Sequence, residues 1–139
     1  MKKSRANTPR ESALVREILA TYGSLDGVLL WRNNVGAAKD KSGRLIRFGV
    51  KGSADILGVV RQRLTVRTVI NPNGMQPLER VIDTVVGRAI AIECKRSGEK
   101  LSEAQEAWAR AWVKAGAAYV LAYDLRDASG FMDRLLENT

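Results

Sequence analysis

The sequence contains no histidine. That excludes histidine-ligated zinc, Ser-His-Asp hydrolysis and a Cys-His nucleophile. Cysteine is nearly as scarce. Cys94 stands alone, so no disulfide can close within the chain, and a reducing cytoplasmic compartment is the expectation. No apolar run approaches the roughly 20 residues that span a bilayer, so insertion into a membrane is not expected. The basic start Met1-Lys2-Lys3-Ser4-Arg5 has no apolar stretch behind it, which argues against a secretory leader. Acids are also short: 15 Asp and Glu face 23 Lys and Arg, a net charge of +8. Catalysis, if present, must rest on carboxylates, lysine, hydroxyls and a hard metal ion.

What remains is ordinary for a folded domain. The 139 residues suit one domain with a single core, and 45% are hydrophobic. A sequence pI near 10.1 points to a polyanionic partner. Nucleic acid comes first and an anionic membrane surface second.

Residues 1–10 read as a loose basic arm, and residues 11–139 as one domain. Thr8-Pro9 looks like an N-cap with proline in the first turn. A helix follows over 11–22, with Leu14, Val15, Ile18 and Tyr22 as its apolar stripe. Residues 28–32 read as a strand, and Asn33 to Gly36 as a turn. The polar stretch around Lys39, Lys41, Arg44 and Arg47 suits an exposed loop or hairpin. Ala54 to Val60 is an apolar strand that carries one acid, Asp55.

Two β-branched runs, 64–70 and 80–86, flank the turn signal Asn71-Pro72-Asn73-Gly74. They read as a hairpin inserted over 61–88. Residues 88–95 form the clearest strand. Ser102-Glu103-Ala104-Gln105 opens a helix with a capping-box pattern, and that helix runs to about Ala115. A strand over 118–123 and a helix over 128–136 complete the order. The fold class is α/β, a mixed sheet flanked by helices with an extra hairpin.

Glu93 and Lys95 lie two apart on a strand, so they share a face, while Ile90, Ile92 and Cys94 share the other. Alone, such a pair reads equally as a solvated ion pair at a strand end. Asp55 shifts the balance, because an acid amid Ala54, Ile56 and Leu57 needs a partner. If the two strands are neighbours, Asp55 and Glu93 converge. Two carboxylates without histidine suit Mg²⁺ or Mn²⁺. A lysine beside such an ion can orient a water or stabilise charge on a phosphate. The set suits metal-assisted phosphodiester hydrolysis, with the positive charge drawing in the substrate.

Gly52-Ser53-Ala54-Asp55, a spacer, then Glu93-Cys94-Lys95 resembles the PD-(D/E)XK nuclease signature, with Ala54 where that motif has proline. The chain more specifically resembles the VRR-NUC (virus-type replication-repair nuclease) family. The resembling pieces are Glu11; Trp31-Arg32-Asn33-Asn34-Val35-Gly36; the run from Arg47 to Gly58; Ile92-Glu93-Cys94-Lys95; and Leu101 to Gln105 through Gly116-Ala117. They span residues 11 to about 123.

The resemblance implies a restriction-endonuclease-like fold and divalent-metal-dependent DNA cleavage. Stand-alone members from phages and prophages act like Holliday-junction resolvases, so branched DNA, a homodimer and a bacterial or phage-infected cytoplasm are expected. It also implies that Asp55, Glu93 and the Cys94 backbone carbonyl hold the metal. The 37 residues between Asp55 and Glu93 exceed the compact spacing of the motif. The extra hairpin could contact DNA or extend a dimer interface.

Two further residues join the candidate site. Gln105 is the N3 residue of a capping box, and it also shares the inward face of its helix with Trp108 and Trp112, which read as core. Glu11 lies on the apolar stripe of the first helix, whereas Glu17 falls off it, so Glu11 is the better additional metal-site acid. Arg32, Arg44, Arg47 and Lys51 precede the Asp55 strand and are candidate phosphate contacts. Cys94 points away from Glu93 and Lys95 and reads as a core residue. Four-way junctions, flaps, nicked duplex and plain duplex all fit these residues. So does a non-catalytic nucleic-acid-binding module on a nuclease fold.

Overall fold

The computed structural model describes residues 9–71, 74, 76–137 and 139. The predicted arm at residues 1–8 and part of the 71–74 turn fall outside them. Helix α1 (Pro9–Tyr22) is followed by β1 (Val28–Arg32), β2 (Gly36–Lys39), β3 (Leu45–Phe48), β4 (Ile56–Ile70) and β5 (Leu78–Cys94). Helix α2 (Glu103–Lys114), β6 (Ala118–Ala122) and helix α3 (Leu125–Leu136) complete the described residues. Pro9 opens α1, as its fixed φ and missing N–H allow, so residues 9 and 10 belong to the helix. Helix α3 starts three residues before the expected Ala128, because Asp124 caps it by accepting from the Asp127 N–H.

The main sheet has the order β1-β4-β5-β6. The β1–β4 and β4–β5 pairs are antiparallel and β5–β6 is parallel. Strands β2 and β3 form a separate antiparallel hairpin. The mixed α/β architecture agrees with the sequence reading.

The expected hairpin over 61–88 is formed by the outer parts of β4 and β5, which run unbroken from the core into it, paired from Ile56↔Ile92 to Ile70↔Leu78. Frequent β-branched residues carry both strands outward, and Gly87 does not stop the second. Strand β4 also starts at Ile56, two residues later than expected, because Ala54 and Asp55 complete the preceding turn.

Strand parity divides the sheet into two faces. On one face Ile56, Val60, Ile90, Ile92 and Cys94 meet Leu14, Val15 and Ile18 of α1 and Phe131, Met132 and Leu135 of α3. This is the core, and α1 and α3 cover it. Helix α2 lies on the opposite face: the Trp108 ring sits 6.3 Å from that of Tyr119, and Trp112 Nε1 donates to the Ala118 carbonyl at 3.0 Å. Trp108 and Trp112 stack on each other and stay half-buried, so the expectation of core tryptophans is corrected. A single helix on that face leaves them one side open. Among the described residues no helix is long and apolar enough to cross a membrane.

The packing makes a contrast that denaturation can read. Ile92→Ala empties a site with no exposure and should cost about 2–5 kcal/mol in urea unfolding. Val69→Ala, on the outer part of β4, should stay within about 0.5 kcal/mol of wild type. Equal losses would contradict a core confined to the inner part of the sheet.

Candidate active site

Glu93 lies at the end of the inner strand β5, and Lys95 directly follows it. They are only 2% and 5% exposed, so they are no solvated pair at a strand tip. Lys95 Nζ lies 3.6 Å from Glu93 Oε1. The same oxygen accepts a hydrogen bond from Gln105 Nε2. The other end of that amide closes the capping box: Gln105 Oε1 accepts from the Ser102 N–H at 2.9 Å, and Ser102 Oγ accepts from the Gln105 N–H. The two readings of Gln105 are therefore compatible. Capping fixes the side chain, and its free amide group reaches Glu93.

Asp55 arrives from the turn that leads into the neighbouring strand β4. Its Oδ2 accepts from the Cys94 N–H at 2.9 Å, one residue from Glu93. The turn that delivers it is held on two sides. Asn33 donates its side-chain amide to Ser53 Oγ and to the Ala54 carbonyl, both at 2.8 Å, and its backbone N–H to the Asp55 carbonyl at 2.7 Å. Gly52, with φ +83°, lies so close to α2 that an added Cβ would sit 2.2 Å from the Ala104 carbonyl oxygen. Only glycine meets both conditions, and the contact ties the Asp55 turn to the helix end that carries Gln105.

Glu11 is buried at the start of α1, while Glu17 is exposed. Its negative charge reaches Glu93, though less strongly than that of Asp55. Helical phase thus picked the acid that faces the site. Burial, reinforced by Asp55, pushes the Glu93 carboxyl up to about 8, and Lys95 opposes the shift without cancelling it. Burial also drives the Cys94 thiol well above its ordinary value, so this side chain is no nucleophile.

The basic candidates Arg32, Arg44, Arg47 and Lys51 are all exposed. Arg32 Nη2 lies 3.5 Å from Ser12 Oγ. Arg44 is tied to Asp40 at 3.3 Å in the tip of the β2–β3 hairpin. Arg47 lies on β3, and Lys51 in the turn leading to Asp55.

Two residues escaped the sequence reading. Asn33 positions the Asp55 turn. Trp31 is 44% exposed and pairs with Leu57, on the sheet face shared with Glu93 and away from the core. Strand parity with Leu30 could have found Trp31. The role of Asn33 has no local signal.

Among the described residues no group of three or more Asp, Glu, Cys or His side chains is arranged to hold a metal ion. Mg²⁺ binds through one or two carboxylates, keeping water and substrate oxygens for the rest. Glu93 and Asp55 are the two carboxylates that would fit that pattern, because a divalent cation held there would relieve the burial and like-charge repulsion that raise the Glu93 pKa. The Cys94 carbonyl and Glu11 remain the other candidate donors.

No protein-family model matches the chain, and neither a curated protein nor a solved structure does.

The raised pKa has a measurable consequence. Folded, Glu93 keeps its proton to about pH 8; unfolded, it loses it near 4.5. Between these values the native state binds more protons, so stability falls as pH rises through the window and levels above about 8. Glu93→Gln mimics the protonated side chain. In melts with EDTA it should flatten this slope and unfold at a higher temperature than wild type near pH 8. A variant that keeps the wild-type slope would remove Glu93 as its source.

Proposed function

We propose that this chain is a divalent-metal-dependent endonuclease that hydrolyses DNA phosphodiester bonds, with a restriction-endonuclease-like fold of the VRR-NUC type. The observation that supports this best is the convergence of half-buried Asp55 and Gln105 on the buried Glu93 and Lys95, where β4 and β5 meet the start of α2. A merely structural ion pair needs no second carboxylate beside it, since like charge adds only cost.

In this reading Asp55 and Glu93 hold Mg²⁺ or Mn²⁺, assisted by the Cys94 carbonyl and Glu11. When bound, the metal supplies Lewis acidity and an activated water. Gln105 holds Glu93 in one rotamer. Lys95 places its ammonium where it can stabilise charge growing on the scissile phosphate. Glu93 releases its proton as the metal enters, so metal affinity rises with pH through its titration. Arg32, Arg47 and Lys51, and Arg44 from the hairpin tip, contribute phosphate contacts that position the strand.

Branched DNA is the proposed substrate. One chain carries one such site, so cutting two strands of a symmetric junction takes a homodimer. Localisation in a bacterial or phage-infected cytoplasm goes with that substrate.

A cleavage panel of four-way junction, flap, nicked and plain duplex DNA with Mg²⁺ or Mn²⁺ tests the reading. Asp55→Ala and Lys95→Ala should each lower cleavage by about 10²-fold or more while DNA binding is retained. Full activity in both variants would remove the site. Binding without cleavage by wild type would favour a non-catalytic module.

A further inference from the structure

Beyond Arg61 and Arg88 the paired strands β4 and β5 lose their neighbours, since β1 pairs only with Ile56 to Val60 and β6 only with Ile90 to Cys94. What projects is a two-stranded ribbon. In an antiparallel pair, residues directly opposite share a face, so the register sorts its side chains. One face continues the core side of the sheet: Leu64↔Thr84, Val66↔Ile82, Thr68↔Arg80 and Ile70↔Leu78. Its only charge is Arg80. The other face carries Arg63, Arg67, Glu79 and Asp83, together with the exposed Val69, Val81 and Val85. There Arg67 pairs with Glu79 at 3.6 Å, and Thr65 Oγ1 donates to Asp83.

The ribbon's charges are therefore concentrated on one face, and the nearly uncharged apolar face is exposed. Leu64, Val66, Ile70, Leu78 and Ile82 all stand open, Leu78 at 65%. The cover stops at its base, where Gln62 Nε2 donates to the Leu135 carbonyl near the end of α3.

We propose that this face docks on a second copy of the chain, ribbon against ribbon. A face with one charge offers no complement to a charged partner, whereas it matches its own copy, as a two-fold interface requires. DNA would select the opposite face, where the arginines lie. Strand geometry makes the apolar face about 30 Å long and 10 Å wide, and its protruding side chains offer on the order of 500 Å². Two copies would bury about 1,000 Å², which reaches the lower bound for a specific interface.

The other face shares its parity with Ala91 and Glu93, so the candidate active site stays uncovered in the pair. The inference supplies a surface for the homodimer proposed above. It rests on the ribbon alone, and its readout is mass rather than cleavage.

Sedimentation velocity on the full chain tests it. Wild type at about 50 µM should sediment as two chains of 15.3 kDa each. Val66→Lys/Leu78→Lys should weaken association by about 100-fold or more and give the single-chain mass. Val69→Lys/Val81→Lys adds the same charge to the opposite face and should leave the pair intact. Thermal melts should show both variants folded, because all four positions lie beyond the core. A single-chain mass for wild type overturns the proposal. So does a two-chain mass that survives Val66→Lys/Leu78→Lys, or equal dissociation by the two variants.

Discussion

The register between β4 and β5 is the constraint on which the remaining features depend. It sets Ile56 opposite Ile92, and so brings Asp55 beside Cys94 and Glu93. It also decides which side chains enter the core. A slip by one residue would turn Ile90 and Ile92 out of the core and Glu93 into it. The long run of pairs beyond the sheet fixes the register further. The core, the site and the two faces of the ribbon are thus three consequences of one alignment.

That alignment has an electrostatic cost. It buries Glu93 next to a second carboxylate, and the shift of its pKa to about 8 expresses this directly. Lys95 and the amide of Gln105 offset part of it. Much of the surrounding structure serves to hold the arrangement in place. Asn33 and Gly52 lock the Asp55 turn, and the capping box fixes Gln105 from behind. A site held this firmly before any ligand arrives has little ordering entropy left to lose on binding. Keeping a poorly ionised carboxylate in such a frame makes sense if a cation relieves it.

Much of this was legible in the sequence, for identifiable reasons. The α1 stripe carried its own phase, so it separated Glu11 from Glu17. Period-two alternation from Ile90 to Cys94 placed Glu93 and Lys95 on the face away from the core. Ser102 and Gln105 announced the start of α2 through spacing alone. Long-range properties were less accessible. The continuity of β4 and β5 into the ribbon was hidden because glycine at position 87 and a change from apolar to mixed composition imitate a boundary. Asn33 acts through partners twenty residues away, which no local pattern reveals. The half-burial of Trp108 and Trp112 depends on how many helices cover that sheet face, a fact of topology rather than of residue type.

The central claim is that Asp55 and Glu93 form one divalent-cation site. Calorimetric titration of the wild-type chain and Asp55→Asn with Mn²⁺ near pH 7, in two buffers of different ionisation enthalpy, tests it directly. The account predicts saturable binding by wild type with a buffer-dependent heat, because Glu93 gives up its proton, and a large loss of affinity in Asp55→Asn. No Mn²⁺ binding by wild type, or unchanged binding by Asp55→Asn, would contradict it.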